Sequence, residues 1–101
     1  MSIQVGNYHA DGPFGNADDL QARSGVYVIL GRGNGVTTWN VVDVGESANI
    51  RERVANHDRA PCWRGQSHAE LTVAGIYADQ HNRMLIEKEL RGTFNPPCGT
   101  I

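Results

Sequence analysis

Five polar residues of this 101-residue chain have side chains that could do chemistry together: Tyr27, Asp43, Arg53, His57 and Glu87. A guanidinium group binds a phosphate or a carboxylate through two parallel hydrogen bonds. A phenol or an imidazole can transfer protons, and one carboxylate with several water molecules is enough to hold magnesium. Each side chain also has an ordinary structural explanation, since a tyrosine packs its ring in a strand and an arginine pairs with a glutamate on a helix. The elements that carry these residues decide between the two explanations.

Two of the five residues lie on a predicted β-hairpin. Residues 25–30, G-V-Y-V-I-L, have the branched and aromatic content of a strand, and residues 37–44, T-T-W-N-V-V-D-V, are the returning strand after an R-G-N-G turn. If the register places Tyr27 opposite Asp43, a phenol and a carboxylate meet at the open end of the hairpin. A slip of one residue would separate them. Alternation along the second strand predicts one face made of Trp39, Val41 and Asp43.

A short helix is predicted directly after this hairpin. Gly45 is expected to end the strand, and Ser47 is a suitable N-cap for a helix that runs to about His57. Arg53 lies three residues after Ile50, at the border of the buried stripe, where its guanidinium can approach a groove against the sheet. Arg53 and His57 are four residues apart, so their side chains adjoin.

A loop, a third strand and a second helix follow. Residues 58–67 contain Pro and Gly and are predicted to form a loop, and residues 69–78 are predicted to form a strand. The inward positions of that strand are Leu71, Val73 and, after a shift at Gly75, Ile76. Asp79 is expected to cap a helix over residues 80–91 that carries Glu87 at the border of its apolar stripe. That stripe consists of Leu85, Ile86 and Leu90. The element order predicts one α/β domain of the α+β type, with a small antiparallel sheet flanked by helices.

The charge of the chain is mildly acidic overall and basic in one segment. The net charge is −2 and the sequence pI is about 6.0, which argues against a protein held to nucleic acid by its overall field. Residues 51–64 contain four arginines and two acidic residues. The candidate nucleic-acid contacts are Arg51, Arg59, Trp63 and Arg64. Trp63 has two interpretations: its indole could stack on a base, or it could cap the core.

The two cysteines and the N-terminus bear on the cellular compartment. No apolar run approaches the roughly 20 residues that span a membrane, and the N-terminus lacks the pattern of a signal peptide, so we expect a cytoplasmic protein without a membrane partner. Cytosolic thiols are usually reduced, which predicts that Cys62 and Cys98 are free. A disulfide is the alternative, and a zinc site with His57 and His68 is a weaker one because the ligand spacing is not typical of zinc.

Four segments together resemble the GIY-YIG nuclease superfamily: G-V-Y at 25–27, D-V-G at 43–45, S-A-N-I-R-E-R at 47–53 and E-K-E-L-R-G-T-F-N-P at 87–96. The resemblance covers about residues 24–99 in the expected order. Residues 1–23 precede it, are rich in Gly, Asp and Asn, and are predicted to form an extended N-terminal arm with one short strand near Ile3 to Val5. The resemblance implies a nuclease domain over residues 24–101. It also implies a three-stranded antiparallel sheet flanked by helices.

The resemblance also assigns roles to the candidate residues. Tyr27 takes the position of the general base, Arg53 that of the arginine on the scissile phosphate, and His57 a position that assists proton transfer or contacts phosphate. Glu87 takes the position of the carboxylate that holds one divalent metal ion, magnesium or manganese. Gly25 and Gly45 are the structural glycines of the two tripeptides. The implied partner is nucleic acid, DNA rather than RNA, with specificity supplied by the chain's own loops, a protein partner or a second copy.

Two positions depart from the family pattern. Asp43 stands where the second tripeptide has tyrosine, and Gly99 stands where an asparagine usually follows the terminal proline. One hypothesis is an active metal-dependent endonuclease in which Asp43 accepts a hydrogen bond from Tyr27 or from a metal-bound water. The alternative is a domain that keeps the fold, cleaves weakly or not at all, and binds nucleic acid or protein.

Overall fold

Five antiparallel strands build one sheet in the computed structural model, which describes residues 1–99. The strands are β1 (Ser2–Val5), β2 (Tyr8–Phe14), β3 (Gly25–Arg32), β4 (Asn40–Ser47) and β5 (Glu70–Tyr77), in the spatial order β1-β2-β5-β3-β4. The helices are α1 (Ile50–Ala55), α2 (Ala60–Gly65) and α3 (Gln80–Phe94), with a 3₁₀ helix at Ala17–Asp19. The predicted mixed architecture is confirmed, but the prediction of three strands is wrong. The three predicted strands are the β4-β3-β5 half of the sheet.

The N-terminal segment supplies the two additional strands. Residues 1–23, expected as an extended arm, form the β1-β2 hairpin, and β2 pairs with β5. The D-G-P-F stretch within β2 is typical of turns, so the sequence does not predict a strand there. The register of β2 against β5 shifts between Asp11 and Phe14, where Gly12 has a φ of 128° that favours glycine. Val5 and Ala10 are buried, so this hairpin belongs to the core.

Both faces of the sheet are covered, which gives two apolar clusters. On one face, Leu90 of α3 packs against Val26 and Val28 of β3, together with residues of the β1-β2 hairpin. On the other face, Ile50 of α1 and Trp63 of α2 pack around β3 and β5. Double-sided burial explains why residues 25–30 are apolar without alternation.

The third predicted strand alternates without interruption. Val73 points to the α1 and α2 face, whereas Ala74 and Ile76 point to the α3 face. The pairing of β5 with β3 runs continuously through Gly75. The predicted shift at Gly75 is therefore wrong, and burial of both faces accounts for the apolar residues that suggested it.

The two short helices differ from the prediction. The first begins at Ile50 rather than after Ser47, because the side chain of Asn49 is the cap and accepts a hydrogen bond from the Glu52 N–H. His57 lies beyond its end, so it is not on the same helix as Arg53. The predicted 58–67 loop contains α2, whose proline stands in the first turn, where a missing N–H costs nothing.

The long helix agrees more closely with its prediction. Asp79 caps α3 through a hydrogen bond from the Asn82 N–H, and Leu90 is fully buried. Leu85, predicted in the apolar stripe, is instead 54% exposed. The helix continues to Phe94 and ends where Asn95 adopts a left-handed conformation with φ 48°.

A β-bulge changes which residues of β4 face the two helices that follow it. Tyr27 pairs with Gly45 and Ile29 with Asp43, but Leu30 pairs with Val41, so one residue of β4 is extra. The register that would place Tyr27 opposite Asp43 is therefore not the one that forms. Trp39 and Val41 pack on the α3 side, on the opposite face from the Asp43 side chain.

Gly25 and Gly45 leave space for neighbouring atoms and do not form a turn. Gly45 lies inside β4 and does not end it, and a Cβ there would collide with the Tyr27 hydroxyl group. A Cβ at Gly25 would collide with the backbone carbonyl of Ile76 on the neighbouring strand. Both positions therefore exclude every larger residue.

A disulfide bond joins Cys62 of α2 to Cys98 after α3, with a Cα–Cα distance of 6.0 Å. The prediction of free thiols is wrong, because the fold brings together two cysteines that are 36 residues apart. Cys98 is fully buried, and its N–H donates to the Val42 carbonyl at 3.1 Å. The segment after α3 is thus held against β4. No helix in residues 1–99 is long and apolar enough to cross a bilayer.

Candidate active site

Three of the five residues that were predicted to do chemistry line one open cleft of about 590 Å³. Tyr27 of β3, Arg53 of α1 and Glu87 of α3 all line it. Further polar side chains in its wall are Glu46, Arg59, Arg91 and Asn95. The cleft therefore presents a phenol, guanidinium groups and carboxylates to one volume. His57 and Asp43 are not in the lining and lie behind it.

The Tyr27 hydroxyl group is the centre of a hydrogen-bond network. Its oxygen is 2.5 Å from His57 Nε2 and 3.4 Å from Arg59 Nη2. His57 Nδ1 accepts the backbone N–H of Arg59 at 3.0 Å and lies 3.2 Å from Asp58 Oδ1. The shorter contact with the N–H favours the neutral tautomer whose single proton is on Nε2. His57 therefore donates to Tyr27, and the Tyr27 oxygen accepts from two groups. Its own O–H is left to point elsewhere, and the cleft is the open direction.

Burial controls the ionisation of this pair. Burial raises the pKa of Tyr27, while the positive charges of Arg59 and Arg53 oppose that rise. Burial also lowers the pKa of His57, and the same two arginines lower it further. Both groups are thus held neutral near neutral pH.

Asp43 is fully buried and accepts hydrogen bonds from two arginines and an indole. The donors are Arg59 Nε at 2.8 Å, Arg91 Nη2 at 2.8 Å and Trp63 Nε1 at 2.7 Å, and the N–H of Val44 adds a fourth bond at 2.8 Å. These partners satisfy the carboxylate where water does not reach it. The hypothesis that Asp43 accepts from Tyr27 or faces a metal-bound water is therefore wrong, because these four donors already occupy the buried carboxylate.

Arg53 and Glu87 are the more accessible of the predicted residues. Arg53 Nη2 lies 3.1 Å from Asp58 Oδ1, and its side chain is 40% exposed, so this pair contributes little stability. Glu87 Oε2 lies 3.8 Å from Arg91 Nε. Burial raises the pKa of Glu87, which the charge of Arg91 opposes and that of Glu46 reinforces. Arg53 and Glu87 retain hydrogen-bonding capacity towards the cleft.

A metal ion at this site would have few protein ligands. Residues 1–99 contain no group of three or more His, Cys, Asp or Glu side chains arranged around a common point. Glu87 and Glu46 line the same cleft, and Glu46 is also held by Arg83 at 2.5 Å. Magnesium retains most of its water and binds proteins through one or two carboxylates, so this donor set fits a hydrated divalent ion.

The remaining nucleic-acid candidates divide into buried and exposed. Trp63 is only 7% exposed, donates to Asp43, and has its ring 4.9 Å from the His57 ring, so it caps the core and cannot stack on a base. Arg51 and Arg64 are exposed on α1 and α2, outside the lining of the cleft. Arg59 lines the cleft. Arg91 also lines the cleft and was not predicted there, since its four-residue spacing from Glu87 indicates only an ion pair within one helix.

Protein-family models, curated proteins and solved structures contain no match to this chain. The resemblance to GIY-YIG nucleases, carried by the tripeptides and the spacing of Arg53 and Glu87, therefore stays a prediction.

The buried histidine makes stability depend on pH in a defined direction. Because the pKa of His57 is lowered in the fold, the unfolded chain binds a proton first as pH falls below the ordinary value of about 6.5. Stability is therefore lost as pH falls from that value towards the folded pKa, by at most about 1.4 kcal/mol per pH unit from this group. Replacing His57 by Gln keeps an N–H donor for Tyr27 and removes the titration. Urea unfolding between about pH 5 and pH 7.5 should show a smaller pH slope for His57→Gln; an equal slope would contradict this assignment.

Proposed function

We propose that this protein is a metal-dependent endonuclease that hydrolyses phosphodiester bonds in nucleic acid, DNA rather than RNA. The observation that carries the proposal is the convergence of Tyr27, Arg53 and Glu87 on one open cleft. These residues come from three elements that are distant in sequence. A structural role for each would not require them to share a solvent-filled volume.

The residues of the cleft suit a hydrolysis with an anionic transition state. Ionised Tyr27 accepts a proton from water as the water oxygen forms a bond to phosphorus, and the bond from phosphorus to the leaving sugar oxygen breaks. The leaving oxygen takes a proton from solvent. Arg53 donates to the phosphate oxygens, on which negative charge increases. His57 remains neutral and holds the Tyr27 oxygen in place through Nε2–H.

Glu87, with Glu46 beside it, would hold a hydrated magnesium or manganese ion. Such an ion supplies Lewis-acid stabilisation of charge on the phosphate and favours ionisation of nearby water or phenol. That contribution matters here because burial raises the pKa of Tyr27. The charges of Arg59 and Arg53 act in the same direction as the ion.

The raised pKa of Tyr27 favours a second candidate function, a binding module with little or no cleavage. A phenol that stays neutral is a poor base, and Asp43 does not take over its role because it is buried behind the cleft. The guanidinium groups would then serve to bind phosphate alone. This candidate predicts nucleic-acid binding that weakens with salt, without products.

The two candidates are separated by a substrate survey. Supercoiled plasmid, single-stranded DNA and RNA are incubated with the protein in magnesium or manganese, beside Glu87→Ala. We expect the wild type to cut DNA and Glu87→Ala to fall by at least about 10²-fold, since the charge that stabilises the transition state is lost. Glu89→Ala is the matched control, because Glu89 lies on the same helix, is exposed outside the lining of the cleft, and its carboxylate accepts from Tyr8. Equal residual cleavage by Glu87→Ala and the wild type would indicate contamination and reject the proposal.

A further inference from the structure

The two positions that depart from the family pattern meet in the structure. A Cβ built on Gly99 would lie 2.5 Å from Arg91 Nη2, 2.9 Å from Asp43 Oδ1 and 3.0 Å from Arg59 Cζ. Any larger residue at Gly99 would displace the guanidinium groups that Asp43 binds. Its φ of +78° also favours glycine. The carboxylate at 43 and the missing side chain at 99 are therefore parts of one arrangement.

Asp43 holds Arg59 and Arg91 in place because its carboxylate group is not accessible to water. A buried carboxylate that loses a partner costs several kcal/mol, so its bonds to Arg59 and Arg91 are kept. Arg59 Nε and Nη2 both contact the carboxylate, at 2.8 Å and 3.4 Å. A planar guanidinium held through two nitrogens has a defined direction. The side chains of Arg59 and Arg91 are still 31% and 24% exposed, on the side of the cleft.

Arg59 reaches the group that the proposed mechanism uses as a base. Its Nη2 is 3.4 Å from the Tyr27 oxygen and is the second donor to that oxygen beside His57 Nε2. A donor with a full positive charge favours the ionised phenol. Arg59, which directly precedes α2, thus makes a polar contact to Tyr27. Asp43 of β4 does not make such a contact itself.

We propose that Arg59 is a further catalytic residue of this site, which contacts the Tyr27 oxygen and the bound phosphate, and that Asp43 is a positioning residue that acts through Arg59. This inference rests on the proposed function for its chemistry. The guanidinium group of Arg59 makes the polar contact to Tyr27 that is expected from the tyrosine of the second tripeptide. Asp43 holds this guanidinium group in the space that Gly99 leaves open.

The charged and titratable groups around Tyr27 come from every element that borders the cleft. They are Asp43 and Glu46 from β4, Arg53 from α1, His57 and Arg59 from the α1–α2 connection, and Glu87 and Arg91 from α3. Arg59 Nη2 lies 3.4 Å from the Tyr27 oxygen, and the charge of Arg59 is the first of the influences that lower the pKa of Tyr27. Its removal should therefore raise the pH at which Tyr27 ionises.

The test compares Arg59→Gln, Arg59→Lys, Asp43→Asn and the double variant Asp43→Asn/Arg59→Gln with the wild type. We expect Arg59→Gln to lower kcat on the plasmid substrate on the order of 10²-fold near neutral pH and to move the acidic limb of the pH–rate profile up by about one unit. Arg59→Lys should restore part of that shift. Asp43→Asn should lower kcat less, and the double variant should be no slower than Arg59→Gln within about twofold. Lys88→Gln, an exposed charge removal on α3, is the control and should match the wild type.

A second measurement does not depend on cleavage. The phenolate absorbance of the three tyrosines is titrated, and Tyr27→Phe identifies the step that belongs to Tyr27. Arg59→Gln should raise the pH of that step by about one unit. If the wild type cuts DNA but Arg59→Gln keeps its kcat and its pH limb, or if the double variant is additive, this inference is wrong and the nuclease proposal stands. If the wild type does not cut, the nuclease proposal fails, and an unmoved Tyr27 step in Arg59→Gln would also overturn the pairing.

Discussion

Replacing Tyr27 by phenylalanine is expected to lower the rate of DNA cleavage by about 10³-fold while the fold is kept. General bases contribute roughly 10²- to 10⁴-fold to such reactions, and the two carboxylates of the same cleft, Glu46 and Glu87, are assigned to the metal ion. The ring packs in the core with only 2% of the residue exposed, and the change removes a single oxygen from it. The measurement is the single-turnover rate in magnesium, together with the thermal unfolding of both proteins.

Loss of that oxygen leaves two donors without an acceptor. His57 Nε2–H and Arg59 Nη2–H both bond it, so Tyr27→Phe should also cost stability, on the order of 1–3 kcal/mol. That cost is too small to unfold most domains of this size. A variant that is folded yet cuts at the wild-type rate would remove Tyr27 from the mechanism. Tyr77→Phe is the matched control, because the Tyr77 hydroxyl group lies outside the lining of the cleft and bonds Asp11 and the Gln21 N–H.

Removing the disulfide is expected to give the largest loss of stability. The bond between Cys62 and Cys98 spans 36 residues, and closing a loop of that length in the unfolded chain is worth about 3–4 kcal/mol. Cys62→Ala/Cys98→Ala should therefore melt on the order of 15–25 °C lower, since each kcal/mol corresponds to about 4–8 °C in a domain of this size. Thermal unfolding followed by circular dichroism measures the difference.

Reduction of the wild type provides the control for that variant. With the bond open and the sulfur atoms still present, reduced wild type should melt close to the double alanine variant. The same change should loosen the segment after α3, because Cys98 donates to Val42 and accepts from Arg91. A melting temperature that does not change with reductant or with substitution would show that the bond contributes nothing to the fold.

Much of the fold could be predicted from apolar patterns in the sequence. The strands β3, β4 and β5 and the helix α3 were located because their apolar residues are dense or periodic. The short strand predicted near Ile3 to Val5 is confirmed as β1. Its partner β2 was not predicted, since that strand carries the glycine and proline of a bulge. The short α2 was missed for a related reason, because Pro61 suggests a loop and is also compatible with a first helical turn.

The sequence predicts the types of residue in the site better than it predicts the contacts between them. Tyr27, Arg53 and Glu87 line one cleft, as the resemblance implies, and their roles stay predictions. The partners of Asp43 could not be foreseen, because they depend on a one-residue bulge in β4 that has no sequence signal. A strand position read by simple alternation is wrong wherever such a bulge intervenes.

The most direct test of the central claim is one assay on three proteins prepared in the same way. The wild type, Tyr27→Phe and Glu87→Ala are each mixed in excess with one supercoiled plasmid, and the single-turnover rate is followed as magnesium is increased. Our account predicts that the wild-type rate rises with magnesium to a plateau, and that both variants stay at least about 10²-fold below it at every concentration. Equal rates for all three proteins, or wild-type cleavage that does not need the metal, would contradict it.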